Sequence, residues 1–574
     1  MLPVVLHPPA YDCMIRGDLF PRRISGSTVS SNITAAKFTM STAQFMAGHM
    51  LRHRLPRVCV AVTGKSAGEM IEKAEQIARD NNTFIEFRLD YLSQPASFFP
   101  KLRGFIEFHP HLMLVATCRR VKSGGKFRGS VAAQVEILNK AANLGCQMVD
   151  LELESAGNLK PKDWEKLKAN AAVILSYHDY RGTRNLEQIF HKMEAYPADF
   201  LKIVSTAKSL YDNVVAMKFL HKHGDQRPMI GVCMGEQGII SRLLSVRAGS
   251  VFTFGAALPG EETAPGQMAA RVLREMYRIE NVDAATRVYG VAGDPIAHSL
   301  SPVMLNTGFR RENLNAVYLG LHAKTVQDLM ACVRDIPIHG LSITMPYKES
   351  ILKYLDRTDP VTAKIGACNT VIRSQEGKLY GFNTDVAGVL RPLETRMPVA
   401  GSKFLVLGAG GAARAAVFGL KERGAEVWVM NRTAAKAQQL ARSAHAKFLP
   451  RNQAAKLMQK LQFDCILNAT PVGMDSGERT KEEKPLLTEK EMNTRYVFEM
   501  IYNPAETKFT KMARAKGILV ISGIEMFVHQ GARQFEIWTG KPAPVDEMFR
   551  VVNHALEQRA AEAAEAAKNV KKKR

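Results

Sequence analysis

One stretch, KFLVLGAGGAAR at residues 403–414, decides the fold of the second half of the chain. Its apolar start has the composition of a buried strand, a glycine-rich turn follows, and an alanine-rich helix begins after the turn. Gly408 would allow the tight bend, while Gly410 and Gly411 would let backbone N–H groups approach a pyrophosphate at the helix N-terminus. The stretch therefore predicts a Rossmann lobe that binds a dinucleotide.

The next predicted strand indicates which dinucleotide the lobe binds. It ends in Asn431-Arg432-Thr433, at the place where an NAD enzyme usually has an acidic residue for the ribose 2′-hydroxyl. Arg432, with Lys436 one helical turn further on, would instead hold a 2′-phosphate, so we expect NADP. The predicted cofactor-binding residues are Gly408, Ala409, Gly410, Gly411, Ala412, Asn431, Arg432, Thr433, Lys436 and Gly523.

Lys348 and Asp385 make chemical sense as a catalytic pair. Hydride reduction of a ketone leaves an alkoxide, which a cationic lysine can stabilise and protonate while a carboxylate holds the lysine in place. Both residues lie in an ordered set of motifs that resembles shikimate dehydrogenase over 288–553: Ser299-Leu-Ser301, Thr344-Met-Pro-Tyr-Lys348, Gly366-Ala-Cys-Asn369, Asn383-Thr-Asp385, Asn468-Ala-Thr-Pro-Val-Gly473 and Gln530-Gly531. Ser342 departs from this pattern, because many members have Asn there.

The shikimate dehydrogenase resemblance implies catalysis by Lys348 and Asp385. It also implies that 3-dehydroshikimate is bound through its carboxylate and hydroxyls by Ser299, Ser301, Thr344, Asn369, Tyr502 and Gln530.

The first half alternates eight short apolar runs with helical patterns, as a (β/α)8 TIM barrel requires. The predicted strands are 58–63, 84–90, 112–118, 147–153, 172–178, 200–205, 228–234 and 250–254. Lys202 lies inside an otherwise apolar strand, where burial disfavours a charged amine. A neutral amine adds to ketones, and His178 at the end of the preceding strand would serve as general base and acid.

Five motifs of this half, Glu86-Phe-Arg88-Leu-Asp90, Ser176-Tyr-His178-Asp179, Phe200-Leu-Lys202-Ile203, Met234 to Arg242 and Ala264-Pro-Gly-Gln267, resemble type I 3-dehydroquinate dehydratase. The resemblance implies an imine between Lys202 and the C3 ketone of 3-dehydroquinate, proton transfer by His178, and Glu86 orienting His178. Substrate binding would fall to Arg88, Arg119, Arg242, Thr263 and Gln267. Two positions depart from the family: Ser123 replaces a lid glutamate, and Thr263 replaces a serine.

The enone leaving the barrel, 3-dehydroshikimate, is the ketone that the second site would reduce to shikimate. We therefore interpret the chain as a bifunctional enzyme of aromatic amino-acid biosynthesis. Two alternatives stay open. A transcriptional repressor built from related domains is disfavoured because Lys202, His178, Lys348 and Asp385 are all present. A quinate dehydrogenase in the second half is disfavoured by Arg432.

The predicted division of the chain has seven parts. They are a poorly structured extension at 1–56, the barrel at 57–280, a linker at 281–287, a substrate lobe at 288–400, the Rossmann lobe at 401–535, a helix returning to the substrate lobe at 536–558, and a basic tail at 559–574. For the extension, a transit peptide and a start codon assigned too far upstream both remain open.

Composition limits the classes of partner. The formal charge of +23 suits a nucleic-acid binder or an enzyme with anionic substrates, but much of the excess lies in the two ends of the chain. Carboxylate substrates account for basic pockets, so no nucleic acid is expected. No run reaches the ~20 apolar residues of a membrane helix. Eight scattered cysteines without a Cys-x-x-Cys pair indicate reduced thiols, no metal site and a cytoplasmic location.

Overall fold

The computed structural model describes residues 50–474 and 485–572, which form three separate β-sheets of eight, six and six strands. The first sheet belongs to the predicted barrel and the other two to the predicted substrate and Rossmann lobes. The fold class expected from the sequence is confirmed.

The barrel strands run parallel in the order β7-β6-β5-β4-β3-β2-β1-β8. Their bounds are β1 Val58–Val62, β2 Phe84–Arg88, β3 Met113–Thr117, β4 Met148–Glu152, β5 Ala172–His178, β6 Phe200–Thr206, β7 Met229–Met234 and β8 Thr253–Ala256. A parallel bridge between Met229 and Ser250 connects β7 to the segment before β8 and closes the ring. The last strand begins three residues later than predicted, because Ser250 makes only this single bridge.

Helices surround the barrel on its outside. They are α1 Ala67–Arg79, α2 Phe99–Phe108, α3 Val131–Leu144, α4 Leu153–Ala156, α5 Pro161–Asn170, α6 Leu186–Glu194, α7 Tyr211–His223 and α8 Ile239–Leu244. Below the barrel, Leu55 is buried in a cluster with Phe84, Phe200 and Phe252. The final residues of the predicted extension therefore pack against the barrel, and residues 1–49 lie outside the described part of the chain.

The substrate lobe has a mixed sheet in the order β10-β9-β11-β13-β14-β12. Its strands are β9 Arg287–Gly293, β10 Ala316–His322, β11 Ile338–Ile343, β12 Arg357–Thr358, β13 Thr370–Arg373 and β14 Leu379–Phe382. Its helices are α9 Ser301–Arg311, α10 Val326–Asp335, α11 Pro360–Ile365 and α12 Asp385–Glu394. Strands β9, β10 and β11 are parallel, so their carboxyl ends meet at one edge.

The Rossmann lobe is a parallel sheet in the order β17-β16-β15-β18-β19-β20. Its strands are β15 Lys403–Leu407, β16 Glu426–Met430, β17 Lys447–Phe448, β18 Phe463–Asn468, β19 Thr494–Glu499 and β20 Leu519–Ile521, and its helices are α13 Gly411–Glu422, α14 Ala434–Ser443, α15 Ala454–Lys460 and α16 Lys508–Ala515. The strand order reverses between β15 and β18, which is where ligands bind in such sheets. The glycine turn after β15 lies at this point.

Two long helices, α17 Gly523–Thr539 and α18 Val545–Lys572, end the described chain. Helix α17 packs against α12, where Glu536 accepts two hydrogen bonds from Arg391. Helix α18 packs against α9 through Met548 and Val552. It continues through most of the predicted basic tail, because the alanine and glutamate residues from 560 onward favour helix.

Charged residues join the barrel to the substrate lobe. The carboxylate of Asp328 accepts hydrogen bonds from the first N–H groups around the start of α7, those of Leu210 and Tyr211, at 2.8 and 3.2 Å. His322 lies between Glu236 of the barrel, at 3.1 Å, and Asp294 of the substrate lobe, at 2.9 Å. The loops that follow β7 and β9 are thereby held next to each other.

Candidate functional site

Lys202 points into the barrel from β6 and is 4% exposed. Its Nζ atom lies 2.9 Å from Asp150 Oδ2 and 3.9 Å from the centre of the Phe254 ring. The sequence places this amine in an otherwise apolar strand, and the structure adds a charged partner. Alternate strands fill one interior layer of a barrel, so β4 brings Asp150 to Lys202 on β6. The amine is held in position by an ion pair and a ring face.

Asp150 is the centre of a buried charged cluster. Its Oδ1 atom accepts hydrogen bonds from Arg119 Nη2 and from Ser176 Oγ, both at 2.7 Å. Burial opposes ionisation of this carboxyl, but the charges of Arg119 and Lys202 outweigh burial and hold the pKa of Asp150 well below its usual range. The Asp150 carboxylate therefore contacts both the Arg119 guanidinium and the Lys202 amine.

His178, the predicted general base, lies at the end of β5. Its Nε2 atom lies 3.0 Å from Arg119 Nη1, and because a guanidinium can only donate, Nε2 accepts. Burial first, and then the charges of Arg119 and Lys202, lower the pKa of His178 well below its ordinary value. The imidazole is therefore neutral at neutral pH, which is the state that can remove a proton.

Glu86 does not orient His178 in this structure. Its Oε1 atom accepts a hydrogen bond from Thr117 Oγ1 at 2.6 Å, on the neighbouring strand β3. The position beside His178 is taken by Arg119, which follows β3 and reaches β5 because its side chain is long. Among the described residues, His178 Nδ1 is buried without a hydrogen-bond partner.

The other predicted barrel residues lie on strand ends and on the loops above them. Arg88 makes a bidentate ion pair with Asp90, at 2.9 and 3.0 Å. Arg242 is buried, donates to the Pro265 carbonyl at 3.0 Å, and burial lowers its pKa to about 10. Thr263 and Gln267 are joined to each other by two hydrogen bonds, of 2.7 and 3.0 Å. The loops after β7 and β8 thus bring Arg242 and Gln267 to one side of the barrel mouth.

In the second half, the predicted pair of Lys348 and Asp385 is in contact, with Nζ 2.5 Å from Oδ2. Asn369 donates from Nδ2 to the second carboxylate oxygen, Oδ1, at 2.7 Å. Asp385 begins helix α12 and is 3% exposed. The carboxylate is therefore fixed on both oxygens, and it directs the Lys348 ammonium.

The remaining predicted substrate residues come from several elements of the second half. Ser299 and Ser301 lie at the start of α9, with the Ser301 N–H 3.3 Å from Ser299 Oγ. Thr344 follows β11. Tyr502 stacks on Phe527 at 4.4 Å between ring centres, and Gln530 Nε2 donates to the Phe527 carbonyl at 2.9 Å. The predicted residues thus come from the start of α9, the segments after β11 and β19, and α17.

The glycine turn after β15 has the shape that a dinucleotide needs. Gly408 has a φ of +120°, and a Cβ atom there would lie 2.7 Å from the Ala469 carbonyl oxygen. A Cβ on Gly410 would meet nothing within 4 Å, which leaves room for a phosphate at the start of α13. One built on Gly411 would lie 3.7 Å from Lys348 Cδ. The turn therefore opens directly beside the predicted proton donor.

The predicted 2′-phosphate residues lie at the end of β16 and the start of α14. Arg432, Thr433 and Lys436 are exposed, and Asn431 Nδ2 donates to the Thr433 carbonyl at 3.1 Å. Gly523 approaches the backbone at Ile501 so closely that a Cβ there would lie 2.0 Å from the carbonyl oxygen. These residues fit an NADP site.

Family models match both halves of the chain. Residues 58–284 match type I 3-dehydroquinase, 291–371 the shikimate dehydrogenase substrate binding domain, 393–486 shikimate / quinate 5-dehydrogenase, and 523–552 the shikimate 5'-dehydrogenase C-terminal domain. The chloroplastic bifunctional 3-dehydroquinate dehydratase/shikimate dehydrogenase of Arabidopsis thaliana is 31% identical, over 91% of this chain and 88% of that protein. This chain belongs to that bifunctional family.

Other similar proteins match either one half or most of this chain. The shikimate dehydrogenase (NADP(+)) of Moorella thermoacetica is 39% identical over 48% of this chain and 95% of its own. A solved dehydroquinate dehydratase and shikimate dehydrogenase from S. pombe is 24% identical, covers 88% of this chain and 99% of that chain, and has a TM-score of 0.41. Shikimate 5-dehydrogenase from Thermus thermophilus, solved with NADP(H) and shikimate, is 35% identical over 47% of this chain and all of its own, with a TM-score of 0.42.

Two residues of the sites were missed from the sequence. Asp150 and Glu152 alternate along the predicted strand 147–153, as Glu86 and Arg88 do along 84–90. Acidic residues inside a predicted strand were therefore the signal for Asp150. Gln534 on α17 donates to Thr370 Oγ1 and accepts from Ser342 Oγ, at 3.0 and 2.8 Å. No local pattern marks Gln534, because its partners lie more than 160 residues away.

The sequence also predicts no metal site and no membrane helix. Within 50–474 and 485–572, no group of three or more His, Cys, Asp or Glu residues is arranged to hold a metal ion. His109 is hydrogen-bonded to Glu75, and His223 is hydrogen-bonded to Glu187. A search of the same residues for a helix long and apolar enough to cross a membrane finds none.

Proposed function

We propose that the barrel dehydrates 3-dehydroquinate through an imine on Lys202, and that the second half reduces the product, 3-dehydroshikimate, to shikimate with NADPH. The observation that carries the proposal is that each half holds its reacting lysine against a buried aspartate, Asp150 in the barrel and Asp385 in the reductase. Supplying 3-dehydroquinate and NADPH should give loss of NADPH and formation of shikimate in equal amounts. If NADPH were lost when 3-dehydroshikimate is supplied but not when 3-dehydroquinate is supplied, the barrel assignment would be wrong.

In the barrel, the Lys202 amine adds to the C3 ketone, and loss of water leaves an iminium ion. Neutral His178 then removes a C2 proton, because the iminium accepts the electron pair that is left on carbon. The same imidazole, now protonated, donates to the C1 hydroxyl as it departs as water. Hydrolysis of the imine releases 3-dehydroshikimate and restores Lys202. Asp150 remains beside the nitrogen throughout and offsets its positive charge.

In the reductase, bound NADPH supplies a hydride to the ketone. Lys348 lies beside the glycine turn and donates a proton to the alkoxide oxygen, while Asp385 keeps the ammonium directed. Ser299 and Ser301 bind the carboxylate, and Thr344, Asn369, Tyr502 and Gln530 bind hydroxyls. A parallel assay with quinate and NADP⁺ tests the quinate dehydrogenase alternative.

The division of the chain at 57–280, 281–287, 288–400 and 401–535 belongs to the same proposal. The family models at 58–284, 291–371 and 393–486 each overlap mainly one of these parts, whereas the model at 523–552 crosses the proposed boundary at 535. A cytoplasmic location stays a prediction, as does the lack of a nucleic-acid partner. The chloroplastic relative makes residues 1–49 the segment to test. Localisation of the full chain should match that of a chain lacking 1–49; a difference would make the segment a targeting signal.

Replacing Asp150 with asparagine should lower dehydratase kcat/KM about 100-fold, because Lys202 and Arg119 lose the buried carboxylate that holds them in position. Reduction of added 3-dehydroshikimate should be unchanged, and circular dichroism should show that the barrel remains folded. The matched control is Asp199→Asn, which removes a buried aspartate paired with Lys168 at 2.9 Å on another part of the barrel. Equal dehydratase losses in both variants would assign Asp150 a purely structural role.

Replacing Arg432 with alanine should raise the KM for NADPH at least tenfold and leave the KM for NADH almost unchanged. Only NADPH carries the 2′-phosphate, and a hydrogen bond to a charged group contributes about 1.5–3 kcal/mol. Steady-state kinetics with both cofactors provide the measurement. The control is Arg442→Ala, which removes a positive charge from the last turn of α14, the helix that follows Arg432. It should change neither the KM for NADPH nor the KM for NADH. An equal rise for both cofactors would rule out the 2′-phosphate role.

A further inference from the structure

The loop before α9 carries Ser299 and Ser301, and their hydroxyls are uncharged donors. A cation reaches this loop from a distant part of the chain. Arg559 on α18 donates from Nη1 to the carbonyl oxygen of His298, the residue before Ser299, at 2.8 Å. The two residues are 261 positions apart in sequence.

Arg559 is half-buried at the place where α18 leaves the body of the lobe. The last core residue of this helix is Leu556, which is 9% exposed. Arg559 follows three positions later and therefore lies on the same face of the helix. The described side chains at 560–562 are exposed. The guanidinium is thus directed to the loop by the packing of the preceding turns.

The charge of Arg559 also acts on Tyr502. Burial raises the pKa of the Tyr502 hydroxyl, while the Arg559 guanidinium and the Leu300 backbone N–H act in the opposite direction. Within the described part of the chain, Arg559 forms no ion pair with a carboxylate. Its positive charge is therefore directed at the loop that carries Ser299, the proposed carboxylate ligand, and at Tyr502, a proposed hydroxyl ligand.

We infer that Arg559 is a positioning residue of the reductase, which holds the loop at 298–301 and offsets the negative charge of the substrate carboxylate through that loop. The inference rests on the proposed assignment of Ser299 and Ser301 to the carboxylate. An uncharged pair of hydroxyls binds an anion more weakly than the same pair beside a cation. The expected consequence is a contribution to the KM for 3-dehydroshikimate and not to kcat.

The test compares Arg559→Gln with Arg559→Lys and with Arg550→Gln. Glutamine keeps a donor for His298 but removes the charge, so the KM for 3-dehydroshikimate should rise about fivefold, with kcat unchanged within about twofold. Arg559→Lys keeps the charge, so its KM for 3-dehydroshikimate should stay close to that of the wild type. Arg550 lies on the same helix and pairs with Glu547 at 2.6 Å, so its replacement is the matched control. The effect of Arg559→Gln should shrink in about 0.5 M salt.

The methyl ester of 3-dehydroshikimate separates charge from loop structure. Its KM should be the same for wild type and Arg559→Gln, because the ester carries no charge. An equal rise in KM for acid and ester, or no rise for either, would overturn the inference. Ser299→Ala is measured in parallel: if it leaves KM unchanged, the proposed carboxylate site is wrong, and if it raises KM while Arg559→Gln does not, only the role of Arg559 is wrong.

Discussion

Lys202→Ala should reduce the dehydration of 3-dehydroquinate on the order of 10⁴-fold or more, as loss of a covalent nucleophile does in other enzymes. Without the amine no imine forms, and the carbanion at C2 has no group to accept its electrons. Formation of 3-dehydroshikimate, followed by its ultraviolet absorbance, measures the loss. Reduction of added 3-dehydroshikimate by the same variant should match wild type.

The control for this variant is Lys168→Ala, because Lys168 is also a barrel lysine paired with a buried aspartate, Asp199. It should retain dehydratase activity. Borohydride added with 3-dehydroquinate should trap an adduct on wild type, and the modified peptide should contain Lys202. An adduct of the same mass on Lys202→Ala, or a modified peptide without Lys202, would show that another amine forms the imine.

Lys348→Ala should lower reductase kcat on the order of 10²–10⁴-fold, the usual contribution of a positioned acid. Asp385 would lose its cation, and the alkoxide would form without a proton donor. Dehydration of 3-dehydroquinate should be unchanged. Lys364→Ala, at an exposed pair with Glu422, is the control and should leave both activities intact.

The two variants together test whether the sites are independent. Loss of the distant activity in either variant, in a chain that remains folded by circular dichroism, would point to a shared active centre. The contact of Asp328 with the start of α7 and the bridge by His322 join the two halves without involving either lysine. We therefore expect each lysine to affect one reaction only.

Much of the fold could be predicted from the sequence because its signals are local. Short apolar runs separated by amphipathic helices predicted the barrel, and strands such as β5 Ala172–His178 end at the predicted residue. The glycine turn at 408–411 predicted both the Rossmann lobe and its dinucleotide cofactor. The sequence did not predict the full extent of α18. The basic residues at its end are typical of a solvated tail, but the alanine and glutamate residues before them favour helix.

The sequence alone predicted which side chains would carry the proposed chemistry: Lys202, His178, Lys348 and Asp385 lie in motifs whose strand or helix context is set by near neighbours. Only the tertiary structure decided what each of them contacts. Asp150 meets Lys202 because a closed barrel brings alternate strands into one layer, and Arg119 rather than Glu86 reaches His178. Arg559 reaches the serine loop because α18 folds back over α9. Periodicity places a side chain on a face, but long-range packing determines its partner.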